Sequence, residues 1–371
     1  MKEEPTPQVP TEEGRSHDAG GARGPALTTR GTPPGPPVRR RDGDEIHPTP
    51  ETAVGEGDVR TAGEAAGAAA GTSLWRDAWR RLLKNKLAVF GMVVVVIITL
   101  VCLAGPPIIR AATGYSYDTI PADSRLIQSF PPFTGPDGQF SWTHPMGTDS
   151  AGRDMLARVL QGGRISLMVG IIATFVSLII GITWGATAGY LGGKVDDVLM
   201  RIVDVLYAIP YMMIVIVLLA FFGGQSPLRQ IFLLFAAIGA VSWLTMARIV
   251  RGQVISLKNQ EYVLAARATG VSTTRIIFRH LVPNALGPVI VYATLTVPSV
   301  MLQEAFLSFL GLGVQAPYAS WGSLASEGIQ NIAVFPWQLI FPGVTMALTL
   351  FSLNFLGDGL RDALDPQMRK F

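Results

Sequence analysis

Two carboxylates stand where carboxylates are scarce. Asp204 and Glu304 lie at the edges of long apolar runs in this 371-residue chain. An acid near lipid is expensive, so each is a candidate to line or gate a solute route. Asp204 follows Arg201 by one helical turn at the inner boundary of its span, which favours a boundary ion pair over a route-lining role. Glu304, in Met301-Leu302-Gln303-Glu304-Ala305-Phe306, has no basic neighbour in sequence and either lines a route or meets water at an outer boundary. Other reactive types form no constellation. His17, His47, His144 and His280 are scattered without metal-ligand spacing. The only cysteine, Cys102, excludes an internal disulfide framework and a Cys-rich metal site. Gly193-Lys194 ends a Gly-rich run, but a phosphate loop would need Gly at 188 and Ser or Thr at 195, where the chain has Ala188 and Val195. No Ser–His pair, paired acids or His-rich cluster falls within the apolar runs. Neither a catalytic nor a metal site is expected.

A different kind of signal lies in the loop 249–283. Glu261-Tyr262-Val263-Leu264-Ala265-Ala266-Arg267-Ala268-Thr269 reads as a short helix of strong formers. Gly270 stands where a left-handed helix stop is wanted. Ser272 or Thr273 then caps a second short helix through Arg275 to Leu281, and Pro283-Asn284 resets the chain. Simple helix connections run about 2–8 residues. This longer helix–Gly–helix elbow is expected to be a rigid docking knob, with the small Ala266 at a packed contact.

The elements that position these residues are membrane spans. A bilayer core about 30 Å thick needs roughly 20 apolar residues of helix. Six stretches without Asp, Glu, Lys or Arg qualify: 87–109, 165–193, 205–228, 230–247, 280–303 and 328–357. The third has its apolar heart at 211–222, the fifth is expected to be helical from Asn284, and the sixth from about Pro336. In the second, Ala173, Ser177, Gly181, Gly185 and Gly189 recur every fourth residue, forming a stripe on which another backbone can approach closely. Met155, Leu156, Val159 and Leu160 recur at helical spacing and suggest a short interfacial helix before it. Lys and Arg number 16 on the side that holds both termini and six on the other, so both termini are expected in the cytoplasm.

Composition agrees with that picture. The chain is 49% hydrophobic and 15% charged, against about 25% charged in soluble domains. Its net charge of +3 hides two parts. Residues 1–73 carry a net −4, with 12 Gly, 10 Pro and no aromatic residue, and are expected to form a disordered cytoplasmic tail. The remainder carries +7, a topology signal before a nucleic-acid one. The expected organisation is a tail 1–73, an N-terminal region with the first span 74–110, an extracytoplasmic segment 111–164, and a five-span core 165–371.

The loop also has a recognisable form. Leu264-Ala265-Ala266, Gly270 and, nine residues on, His280-Leu281-Val282-Pro283 resemble the cytoplasmic signature of bacterial ABC-importer permeases, Glu-Ala-Ala, Gly, Ile-x-Leu-Pro. Leu264 and His280 depart from it. His144-Pro145-Met146-Gly147-Thr148-Asp149, Gly152-Arg153-Asp154, Gly163-Arg164-Ile165-Ser166-Leu167, Ile209-Pro210 after Asp204, the stretch from Glu304 to Gly313 with Trp321-Gly322, and the ending from Asp358 to Pro366 are similar to the C-type subunits of dipeptide/oligopeptide/nickel permeases. The resemblance covers about 74–369.

It implies an all-α membrane protein of six transmembrane helices with the type I ABC-importer permease fold, forming half of a translocation pathway in the cell membrane. It also implies a second homologous permease, two cytoplasmic ABC ATPases and an extracytoplasmic substrate-binding protein as partners. ATP and Mg²⁺ then belong to the ATPases, this chain binds no cofactor, and nucleic acid is no partner. The docking residues carried over are Glu261, Leu264, Ala265, Ala266, Gly270, Leu281 and Pro283. Dipeptides or oligopeptides are the expected cargo, with nickel or another small solute as the alternative. An intramembrane enzyme or a self-contained secondary transporter would lack an adjacent ATPase gene.

Overall fold

The computed structural model describes residues 74–222 and 226–364. The expectation of a disordered tail at 1–73 lies outside them. The described residues form ten principal helices and no strand beyond two isolated bridges, Thr134–Phe140 and Thr148–Asp154. The helices are α1 (Leu74–Lys84), α2 (Lys86–Thr113), α3 (Met155–Leu191), α4 (Gly193–Ala208), α5 (Tyr211–Phe222), α6 (Pro227–Leu257), α7 (Glu261–Ala268), α8 (Thr273–Phe309), α9 (Trp321–Gln330) and α10 (Trp337–Leu364). Five of them, α2, α3, α6, α8 and α10, are long and apolar enough to cross a bilayer. The bent pair α4–α5 is long and apolar enough only when its two helices are taken together, as a broken span or a re-entrant loop.

Local chemistry sets the ends. Asn85 accepts hydrogen bonds from the backbone N–H groups of Leu87 and Ala88, and Gly114, at φ 75°, closes the other end of α2. Asp154 caps α3 through the Ala157 N–H. Ser320 and Ser323 cap each other at the start of α9.

Three expectations change. The third span is not one helix: α4 and α5 meet at 82°. Pro210 forces Ile209 into extended backbone, at φ −80° and ψ 127°. The 12-residue α5 is then about 18 Å long, short of a bilayer core on its own. The interfacial helix expected around Met155 is instead the first turns of the 37-residue α3. Gly162 and Gly163 do not break it, because Trp321 and Leu324 pack directly over them. Finally, α8 runs through Pro283 rather than restarting after it. Its turns widen to π geometry over Ile276–Leu281, with the Val282 N–H bonded to the Ile277 carbonyl. A widened turn absorbs the hydrogen bond that proline cannot donate. The Asn284 side chain satisfies the His280 carbonyl at 2.6 Å.

The bundle is built on α3 against α6. In lipid the hydrophobic effect gives little force between helices, so close backbone packing must hold them. Ala173, Ser177, Gly181, Gly185 and Gly189 are all buried. A Cβ on Gly185 would collide with the Ala247 carbonyl oxygen, and one on Gly189 would lie 2.8 Å from that of Arg251. From the other side, Gly239 of α6 approaches Val176. Around this axis Ile165, Val169, Leu234, Ile238, Val300 and Leu307 form one core, and Cys102, Met155, Trp321 and Leu353 belong to another.

Gly185→Leu should therefore separate α3 from α6. Overpacking at such a contact costs about 1–3 kcal/mol or more. The expected result is loss of monodisperse purified protein, read by size-exclusion chromatography. A normal profile would mean that the two helices do not touch at Gly185.

Candidate functional site

Two polar constructions stand at opposite ends of the bundle. At the end near α7, the elbow follows from its local sequence. α7 stops with the Thr269 N–H on the Ala265 carbonyl and the Val271 N–H on that of Ala266. Gly270 takes φ +75° with open space around its α-carbon, so backbone conformation alone demands glycine there. Thr269 Oγ1 donates to the last turn at 3.1 Å.

The elbow is clamped from beneath. Val263, Ala266, Ile276, Ile277 and Leu281 pack with Val250 and Val254 of α6, Ala186 of α3 and Val289 of α8. Arg267 lies over the Tyr190 ring, 4.8 Å from its centre. Lys258 Nζ donates to the Gly189 carbonyl at 3.0 Å. Arg251 grips Asp196 with two bonds of 2.6 Å, and Arg248 reaches Asp204 at 2.8 Å while covering Tyr207. Arg248 and Arg251 of α6 thus hold α4, and Lys258 just after α6 holds the end of α3.

The loop residues singled out above divide cleanly. Glu261, Leu264, Ala265, Gly270 and Pro283 are exposed; Ala266 and Leu281 are buried. Ala266 therefore contacts this chain's own core, not a free surface. Leu264 is 49% exposed and Phe278 46%, leaving apolar groups on the outer side of the elbow. Asp204 is paired with Arg248 of α6 rather than with its helical neighbour Arg201, a pairing across 44 positions that spacing could not reveal.

At the other end Glu304 is 1% exposed. One carboxylate oxygen accepts hydrogen bonds of 2.6 Å from both Ser308 and Ser320, and the other accepts one of 3.5 Å from Ser166. Ser166 in turn accepts the Trp321 N–H at 3.1 Å. The carboxylate ties α3, α8 and the start of α9 together.

Beside it is a network that sequence reading left unassigned. Asp149 accepts from Arg153 Nε at 2.7 Å and from Arg158 Nη1 at 2.6 Å; Arg158, 2% exposed, also forks onto Glu327 at 2.8 and 3.1 Å. His144 Nδ1 pairs with Asp154 at 2.8 Å. The Thr148 carbonyl receives Trp337 Nε1 and Gln338 Nε2, each at 3.2 Å. Thus 144–154, whose residue types attract attention by their density, lock the segment between α2 and α3 onto α9 and α10. Besides the motifs quoted at 144–154, the available signal was Arg158, a charge inside an apolar helical pattern.

No group of three or more His, Cys, Asp or Glu suited to a metal occurs among the described residues. Lys194 is the second residue of α4, after Gly193 at φ +52°.

Residues 181–370 match the family of binding-protein-dependent transport system inner membrane components, and residues 73–132 match the N-terminal transmembrane domain of oligopeptide transport permease C. The chain belongs to this permease family. The permease is 50% identical over 299 residues to the oligopeptide transport system permease protein OppC of Escherichia coli K12, covering 81% of this chain and 93% of that protein. It is 43% identical over 300 residues to the dipeptide transport system permease protein DppC of Bacillus subtilis 168, covering 80% and 87%. Among solved structures, the inward-facing MetNI methionine ABC transporter matches at 18% identity and a TM-score of 0.47, over 57% of this chain and 98% of that one. The protein is thus a multi-pass inner-membrane transport component of an ABC importer, not an enzyme.

The permease's two polar ends yield two expectations. Gly270→Val strains a left-handed position by about 1 kcal/mol or more, while Gly270→Asn is tolerated; a lower melting temperature for valine alone would register this. Glu304→Ala strands the Ser308 and Ser320 hydroxyls in a buried site, at about 1–3 kcal/mol. Thermal unfolding of the purified permease measures it, and an unchanged transition would remove Glu304 from the framework.

Proposed function

We propose that this permease works in an ATP-driven importer of dipeptides or oligopeptides, as one of two similar permeases. Two cytoplasmic ATPases and an extracytoplasmic substrate-binding protein complete the assembly. The peptide class rests on the oligopeptide and dipeptide relatives. The observation that carries the ATPase coupling is the elbow: a left-handed glycine turn, braced from α3, α6 and α8, with Leu264, Ala265 and Phe278 outside.

A coupling element must transmit force in both directions. The buried side of α7 does so because Val263 and Ala266 touch the same core as α6 and α8. The exposed side, Glu261, Leu264, Ala265, Gly270 and Pro283, is the docking surface in this reading, and Leu281 anchors it. Movement of the elbow then moves α8 without a joint, since the π segment makes the two continuous. ATP and Mg²⁺ are bound by the ATPases.

The proposed topology places both termini and the elbow in the cytoplasm. The excess of basic residues on that side supports it. The domain reading follows: a cytoplasmic tail 1–73, a first-span region 74–110, an extracytoplasmic segment 111–164 and a five-span core 165–371. In it the stripe from Ala173 to Gly189 is the packing seam of the core.

Two measurements test the proposal. Leu264→Asp should leave a folded permease that co-purifies poorly with its ATPases, whereas Ala266→Asp should lose the fold first, because a charge there has no partner in a packed core. Full ATPase retention and peptide uptake in Leu264→Asp would refute the docking surface. Cysteine at Asp137, in a Cys102→Ser background, should react with an impermeant thiol reagent in intact cells; reaction only after permeabilisation would invert the topology.

A further inference from the structure

A cavity of about 430 Å³ opens where the α4–α5 break meets α6 and α8. That is the size of a small-ligand site. Neither Asp204 nor Glu304 lines it, and its wall contains no charged residue or histidine. Its polar groups are Ser242 and Thr245 from α6, and Tyr292, Thr296, Ser299 and Gln303 from α8, with tyrosines from the α4–α5 side.

These groups are of two kinds. Ser242, Thr296 and Ser299 donate to carbonyls of their own helices, at Ile238 (2.8 Å), Tyr292 (2.8 Å) and Leu295 (3.1 Å). Their lone pairs are left over as acceptors. The Gln303 amide and the Thr245 and Tyr292 hydroxyls have no hydrogen-bond partner among the described residues, so they can donate as well as accept. Both walls contain a proline. Pro210 separates α4 from α5, and buried Pro298, within α8 between Thr296 and Ser299, has no N–H to donate along the helix.

We propose that this cavity is a stretch of the solute route, and that its uncharged hydroxyl and amide wall handles peptides by their backbone without selecting on side-chain charge. The proposal rests on the peptide reading above. Peptides share N–H and C=O groups and differ in side-chain sign. A fixed charge in the wall would hold one sign and repel the other, by about tenfold at separations near 10 Å in a partly polar surrounding. Amide and hydroxyl groups serve donors and acceptors alike. The two acids that composition singles out are occupied elsewhere, Glu304 with serines and Asp204 with Arg248.

The test uses the whole assembled transporter in a Cys102→Ser background. Ser299→Cys and Gln303→Cys should react with a small hydrophilic thiol reagent, and trialanine supplied with the binding protein and ATP should slow the reaction. Leu302→Cys, on the neighbouring exposed position outside the cavity, should show no such protection. Gln303→Lys should lower uptake of a lysine-containing tripeptide relative to a glutamate-containing one by about tenfold, and Gln303→Glu should reverse the order. Ser299→Trp should block uptake while ATPase retention stays normal.

Unprotected cysteines together with unchanged charge preference in both Gln303 variants would overturn the proposal. If the wild type takes up no peptide, and Ni²⁺ rather than trialanine slows labelling, the peptide class is lost while the cavity stays on the route.

Discussion

Everything in this permease hangs on the contact between α3 and α6. Within a bilayer, apolar side chains gain nothing by leaving lipid for one another, so two helices stay together only through close packing and polar bonds. Gly181, Gly185 and Gly189 remove the side chains that would hold the backbones apart, and Met246, Ala247, Arg251 and Val254 occupy the space. The remaining helices dress this pair. α8 leans on α3 at Gly170, and α10 packs on α2 where Gly91 and Gly359 permit it.

Ion pairs between helices cluster toward the two ends, where charge is least costly in a bilayer. On the elbow side Arg248, Arg251 and Lys258 secure α4 and the end of α3. On the other side Asp149, Arg153, Arg158 and Glu327 fasten the long segment after α2. A buried ion-pair network of that sort contributes little net stability, because desolvation offsets most of the attraction. Its effect is to allow one arrangement only. Glu304 works the same way: beside Ser308 of its own helix, Ser166 of α3 and Ser320 at the start of α9 reach it, so the carboxylate ties α9 to α3 and α8.

Between those ends the helices are less regular. Pro210 separates α4 from α5, Pro298 lies inside the continuous α8, and the elbow continues into α8 through a widened turn. A push on α7 is carried by packed side chains into α8, one wall of the uncharged cavity.

Much of this was legible in the chain itself. Apolar run lengths near 20 residues, the every-fourth-residue stripe and a Gly at 270 after a helix-forming segment rest on local geometry, and local geometry is what periodicity encodes. The elbow's turn was readable because only glycine suits a left-handed position. What the sequence could not decide was partnership across distance. Whether Asp204 pairs with Arg201 or Arg248, whether Glu304 faces water or serines, and whether Ala266 points outward or into the core depend on which helix arrives beside them. Those outcomes are set by tertiary packing, since a side chain's chemistry names the bonds it can form but not the neighbour that will form them. The 82° break of the third span belongs to the same class: Pro210 announces an extended residue, and only the surrounding helices determine the direction in which the chain continues.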